Sequence, residues 1–489
     1  MMGWRGFLPA RNPLIAILRF RIMAAFEQRL DSYFHITERG STLRTELKAG
    51  LITFLTMFYI LAANPSIISA AIGPEFFGQL VAVTALAAII ACLLMGLYAR
   101  FPVVLAPSMG INSFIAFTVV IEMGYTYAQA LLAVLIAGIL FLGLSLTGVR
   151  TRILESIPIA LKHSITVGIG LFIMVVGLYN AGIIVHGNGI ALQLGDLASP
   201  GVLLAVFSIV VTLVLWIRGR WSAVLVGALS TVAIGLVGGH YLGWETEVNG
   251  SSLIPGVGTA AVEEIVAVPD FGLVGEVFNA MDGFSSVLVP SFIAVVISLV
   301  MVDMFDTTGT LLAVGDEAGI LDDPRATGSI EKAMCADAAG TVAGSVMGAT
   351  TVTSFIESNV GIAAGARTGL VPVVVALLFA VSLFLVPVLS VITAACIAGA
   401  LILVGLLMAA FVKDIDWKRP ENAVAAALTI FMMGLSGSVT DGIALGFLGY
   451  GLAMTVTGRY REMSRTVRVL SWVFLGYFLL NYWIIPRLR

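Results

Sequence analysis

Apolar stretches of about 20 residues, the length that carries a helix across roughly 30 Å of hydrocarbon, alternate with short polar breaks along most of this chain. Runs bounded by Gly, Pro and charge predict spans near 47–70, 77–98, 109–122, 127–148, 163–185, 200–217 and 221–243. A second set follows near 286–311, 331–348, 354–366, 368–388, 391–411, 421–436 and 441–457. A further apolar run, 469–485, is short for a span and is expected to lie along the interface or to re-enter. Alternation over about ten residues, the mark of a membrane β-barrel, is absent. The predicted fold class is an all-α polytopic membrane protein.

Composition agrees with the pattern. Of 489 residues, 59% are hydrophobic and 11% charged, and mean hydropathy is +1.04; a soluble domain carries roughly 25% charge. The net charge of −3 says nothing about nucleic acid, and no nucleic-acid partner is expected. Cys92, Cys335 and Cys396 lie in apolar surroundings at no metal-ligand spacing, as buried small hydrophobes do. No metal site and no cofactor are expected. The first apolar segment starts near Leu47 behind a long basic arm, so no cleavable signal peptide is expected, and the predicted address is a bacterial or plasma-type membrane.

Charge placement orients the chain. With the N-terminus in the cytoplasm and fourteen segments alternating, the basic residues from Arg5 to Arg468 fall inside. The outside loops hold no Lys or Arg, even over 244–283, where Glu245, Glu247, Glu263, Glu264 and Asp270 lie. This is the asymmetry of a positive-inside membrane protein. Only a true span at 469–485 would break it, by placing Arg487 and Arg489 outside.

Two echoes point to a duplication. "NSFIAF" (112–117) resembles "TSFIES" (353–358), and "IMVVGL" (173–178) resembles "LILVGL" (401–406). Seven spans per half is an odd number, so the halves would have opposite topology, as in the inverted repeats of secondary transporters. The segments around the first echo are also irregular. "FPVVLAPSMGINSFIAF" has Pro102, Pro107 and Gly110 before a short apolar helix, and "MGATTVTSFIESNVGIAAG" has Gly348 and a hydroxyl-rich approach. Non-helical backbone at membrane depth survives only where protein or a water-filled cavity surrounds it, and broken segments in matching halves mark transport sites.

The polar residues at membrane depth are the chemical candidates. In "VDMFDTTGT" (302–310), Asp303 and Asp306 are spaced i,i+3 and lie on neighbouring faces of a helix. A carboxylate at a helix centre costs roughly 2.5–3.5 kcal/mol on insertion scales, so such residues face a cavity or bundle interior. The plain alternative places both at a helix end. Glu357 could carry a proton or bind a donor-rich ligand, or else serve the helix start beside Thr and Ser groups. Asn112 is expected to hold the corresponding place in the first broken segment, in a binding or a bridging role. Phe114 could stack on a planar ligand or simply pack. Thr307 and Thr308 could bond a ligand or the preceding carbonyls. Asp337, among small residues, reads as structural.

Four motifs in order, "ELKAGLITFLTMFYILAANPSII", "LAPSMGINSFIAF", "VDMFDTTGT" and "TTVTSFIESNVGIAAGARTGL", resemble those of the AzgA-like purine permeases of the xanthine/uracil permease superfamily. The resemblance runs from about His35 to Arg459. It implies fourteen segments in two inverted sevens, with a short strand before a half-helix in the third and tenth. The core domain would comprise 47–148 (segments 1–4) and 286–388 (segments 8–11), and the gate 163–243 (segments 5–7) and 389–457 (segments 12–14). An N-terminal arm (1–46), an outer loop (244–285) and a C-terminal tail (458–489) complete the chain. The implied cargo is a purine base (hypoxanthine, guanine or adenine) taken up with protons. The implied site is Asp303, Glu357 and Asn112, with Gly110 allowing close approach, Phe114 stacking and Thr307 nearby. Asp303 and Glu357 would carry the proton, with Asp306 a lesser partner. Permeases of this kind often form homodimers through the gate. The competing reading keeps the fold and changes the cargo to xanthine, uracil or a small anion; neither a nucleophile–base pair nor a metal cluster supports an enzyme.

Overall fold

The computed structural model describes residues 27–147, 156–187, 192–248, 251–256, 266–283, 290–319, 329–436 and 438–479. The basic arm up to residue 26, Arg150, Arg152, Arg325, Glu263, Glu264 and the apolar run beyond residue 479 lie outside them.

In chain order the elements are α1 (Leu43–Ile72), α2 (Pro74–Ala99), β1 (Leu105–Pro107), α3 (Met109–Glu122), α4 (Tyr127–Leu146) and α5 (Ile159–Asn180). A hairpin of β2 (Ile184–His186) and β3 (Leu192–Leu194) leads to α6 (Pro200–Ile217) and α7 (Ala223–Leu242), then to β4 (Glu247–Val248) and β5 (Ser251–Ser252). The second half holds α8 (Pro290–Glu317), α9 (Ser329–Val346), β6 (Val352–Ser354), α10 (Ser358–Ala363), α11 (Leu370–Leu389) and α12 (Ala394–Asp414). It continues with α13 (Pro420–Ser436), α14 (Val439–Val456) and α15 (Arg465–Phe478). A helix thus lies on each predicted span. Among the described residues, nine are long and apolar enough to cross a membrane: α1, α2, α4 to α8, α11 and α12. The chain is a multi-pass membrane protein.

Local chemistry sets several boundaries. Thr42 caps α1 by accepting from the Thr45 amide, and Thr126 with Gln129 forms a capping box at α4. Within α1 the regular helix stops at Met57 and resumes at Ile60. Pro65 lies one turn further on, and its ring crowds the Leu61 carbonyl while offering it no amide. Tighter bonds, from the Leu61 amide to Phe58 O (3.2 Å) and from Ala62 to Tyr59 O (3.0 Å), bridge the break. From Phe114 onward α3 runs as π-helix, a rare form that recurs at functional sites.

Packing divides the helices into two sets. In one, α5 packs on α12 and α13, α13 on α14, and α6 on α7 and α12. Here Gly170 and Gly405 let α5 and α12 approach so closely that a Cβ on Gly170 would stand 2.8 Å from Gly405 O. In the other, α9 packs on α2 and α4, α11 on α1 and α2, and α8 on α4. Such small-residue contacts are how membrane helices gain van der Waals packing without a hydrophobic drive.

Candidate functional site

At the centre β1 and β6 pair antiparallel, with Leu105 opposite Ser354, Ala106 opposite Thr353 and Pro107 opposite Val352. All six residues are buried. The pairing extends at both ends, from Ser108 N to Thr351 O (2.8 Å) and from Phe355 N to Val104 O (2.9 Å). The sequence supports extended backbone here: Pro107 disfavours helix at Ala106, and the β-branched run Thr350–Thr353 suits a pleated strand. Gly348 makes the preceding turn at φ +84°, where a Cβ would meet Leu273 O at 2.1 Å. A helix starts just beyond each strand, α3 at Met109 and α10 at Ser358.

The two α8 acids separate here. Asp306, half-buried, accepts from Ser108 Oγ at 3.3 Å and also from Thr353, so it meets both broken segments. Asp303 is buried one turn earlier, with the hydroxyls of Thr307 and Thr341 at 3.5 and 3.4 Å. Thr307 also donates to Asp337 at 2.8 Å, and Ser354 reaches the other Asp337 oxygen at 3.3 Å. Asp337 therefore ties α8 and α9 to β6.

Glu357 is buried, and the Tyr59 hydroxyl donates to its Oε1 at 2.6 Å. It occupies the N-cap position of α10, yet its side chain makes no capping bond. Glu357 also lines a cavity of about 660 Å³ walled by Ile52 and Thr56 of α1, by α10, by the α6–α7 turn and by α12. Trp216, Trp221, Arg220 and Lys413 stand on that wall, so the cavity lies between the two helix sets. None of the other predicted site residues is on its lining among the described residues.

Asn112 is fully buried, and both ends of its amide are engaged: it donates to Asn64 and accepts from Thr350. Asn64 in turn donates to Thr84 Oγ1 at 2.7 Å. This chain links α1, α2, α3 and the approach to β6. Phe114 is buried, and Gly110 packs so close to α5 that a Cβ would lie 3.1 Å from Ile169. The "SFI" echo is out of phase: Ser113 lies inside α3, whereas Ser354 closes β6. By helix position it is Ser108, the N-cap of α3, that corresponds to Glu357, not Asn112.

The residues missed by sequence reading are Tyr59, Asn64, Ser108 and Thr350. Asn64 beside Pro65 in an apolar run was a legible sign; nothing marked Tyr59.

The chain is similar to known proteins over most of its length. The xanthine/uracil permeases, described as a permease family, match residues 44–445. The guanine/hypoxanthine permease PbuO of Bacillus subtilis (strain 168) is 38% identical over 447 residues, covering 90% of this chain and 98% of the relative. The adenine permease AdeQ of Escherichia coli (strain K12) is 37% identical over 447 residues, covering 91% and 95%. Among solved structures, the transmembrane domain of a cyanobacterium bicarbonate transporter, BicA, superposes with a TM-score of 0.55 at 16% identity, covering 83% of this chain and 97% of that one. That likeness identifies the fold.

Proposed function

Since this chain belongs to the xanthine/uracil permease family, we propose that it is a secondary transporter importing purine bases (hypoxanthine, guanine or adenine) together with protons. Relatives that match it over nearly its whole length include a guanine/hypoxanthine permease and an adenine permease, and an edge rich in N–H and carbonyl groups suits buried carboxylates. The observation that carries the reading is Glu357, a carboxylate on the wall of a cavity large enough for a small planar ligand.

The fourteen segments form two inverted sevens. Helices α1–α4 and α8–α11 make a core that holds the cargo, and α5–α7 with α12–α14 make a gate. With the N-terminus in the cytoplasm, Arg220 and Lys413 stand at the inner mouth of the cavity, and the molecule faces inward. Glu357 binds the base edge. Asp303 and Asp306 on α8 supply the further acid groups, Phe114 and Gly110 shape the face opposite α5, and Asn112 and Thr307 hold the surrounding network. A carboxyl protonated on the outer side and emptied on the inner side couples base entry to the proton gradient, while the core moves against the gate.

The test is uptake of labelled hypoxanthine in cells lacking their own purine carriers. Saturable uptake that collapses with a protonophore and is lost in Glu357→Gln supports cargo and site together. Arg220 and Lys413 favour a second reading, transport of a small anion, which predicts bicarbonate or sulfate uptake without purine competition. Acids at the site oppose it, since an ionised Glu357 repels an anion.

A further inference from the structure

We propose that Tyr59 is a positioning residue of the cargo site: it fixes the carboxylate of Glu357 through one oxygen and leaves the other for the base. This inference rests on the purine reading above for its cargo, though not for its geometry.

Four observations carry it. First, the Tyr59 hydroxyl donates to Glu357 Oε1 at 2.6 Å across 298 residues of sequence, and both side chains are buried. A bond to an ionised carboxylate away from water is among the stronger hydrogen bonds a side chain makes. Second, Glu357 lines the cavity and Tyr59 does not, so the tyrosine acts from behind, on the acid rather than on the cargo. Third, the α1 residues that do face the cavity offer nothing equivalent. Ile52 is apolar, and Thr56 turns its hydroxyl back to Ile52 O at 2.8 Å. Fourth, the Glu357 side chain makes no capping bond to α10, and its one backbone contact is with its own amide.

The backbone keeps this pair in register. Tyr59 sits in the interruption between Met57 and Ile60, where the chain departs from regular helix. One turn beyond Glu357, Gly361 lies so close to α1 that a Cβ would stand 2.1 Å from Thr53 Oγ1. Helices α1 and α10 are thus held together one turn away from the hydrogen bond. A glutamate side chain has three rotatable bonds and, unheld in a cavity, samples several rotamers; the tyrosine selects one.

The experiment pairs infrared spectroscopy with uptake, using the full-length protein. In pH-difference spectra of the purified transporter, the carboxyl band missing from Glu357→Gln belongs to Glu357. Tyr59→Phe, which keeps the ring and removes the donor, is expected to displace that band. It should also raise KM for hypoxanthine about tenfold, the size of one charge-assisted hydrogen bond, with kcat within about twofold. Replacing Tyr59 with 3-fluorotyrosine, a stronger donor of nearly the same shape, should displace the band the opposite way and serves if the phenylalanine variant fails to reach the membrane. A band unmoved by either change overturns the proposal by removing the contact. A displaced band with unchanged KM overturns it by removing the role. If the wild type takes up no purine while the band still moves, the purine reading falls and the Tyr59–Glu357 assignment stands.

Discussion

Ser108 and Asp306 meet at the strand crossing: the hydroxyl that precedes α3 lies 3.3 Å from the second carboxylate of α8. Ser108 is the N-cap of α3, but its side chain is spent on Asp306 rather than on its own helix.

The two acids of α8 should therefore respond differently to neutralisation. Asp306→Asn, changing a half-buried group at the crossing, is expected to cut hypoxanthine uptake at least tenfold with little change in thermal midpoint. Asp303→Asn disturbs a buried carboxylate beside Thr307 and Thr341 and should lower stability by about 1–3 kcal/mol. Uptake normalised to membrane abundance, beside thermal unfolding in detergent, separates them. Equal stability losses would contradict the assignment.

Asn112 and Asn64 should behave as one unit. Asn112→Ala orphans the Thr350 hydroxyl and the Asn64 carbonyl at zero exposure around Asn112, at a cost of about 2 kcal/mol or more. Asn64→Ala should cost a similar amount, and the double variant less than the sum, because both break one chain. Thermal midpoints of the three variants check this; strict additivity would mean the links are independent.

Glu46, fully buried near the start of α1, accepts from the Arg367 amide (2.9 Å), the Thr368 amide (3.3 Å) and the Thr368 hydroxyl (2.8 Å). Glu46→Ala strands three donors and should destabilise by about 3 kcal/mol. Glu46→Gln keeps an acceptor and should lose roughly half of that. Loss of protein from the membrane, rather than a raised KM, is the expected signature.

Gly361→Ala forces a methyl against Thr53 Oγ1, 2.1 Å from the ideal Cβ, and should cost about 1–3 kcal/mol by overpacking. Thr53 only returns its hydroxyl to Ala49 O, so Thr53→Ala alone should be mild. In the Thr53→Ala background the Gly361 substitution should regain most of its lost stability, read as thermal midpoint. No recovery would place the close contact elsewhere.

The sequence made some of this legible for physical reasons. Pro102 and Pro107, five residues apart just ahead of a short apolar helix, argue against one regular span there, so the irregularity before α3 was readable, as were the spans themselves. The spacing of Asp303 and Asp306 showed neighbouring helix faces but not which face meets the crossing, because helix phase against distant strands has no local signature. The echo of "NSFIAF" and "TSFIES" drew attention to the right segments and misaligned them, since three shared letters fit a strand end as well as a helix. Tyr59 was unreadable because its partner is 298 positions away, and a tyrosine in an apolar helix resembles packing.

The pairing of β1 with β6 also governs how the protein is made. When residues 105–107 leave the ribosome, the strand that completes their ladder, 352–354, has not yet been synthesised. Until it arrives, the first half carries a strand edge that lipid cannot solvate. The insertion machinery or a chaperone must shelter that edge while residues 108–351 are made. A chain cut between α7 and α8 should yield two fragments that are degraded when expressed singly and that recover when expressed together.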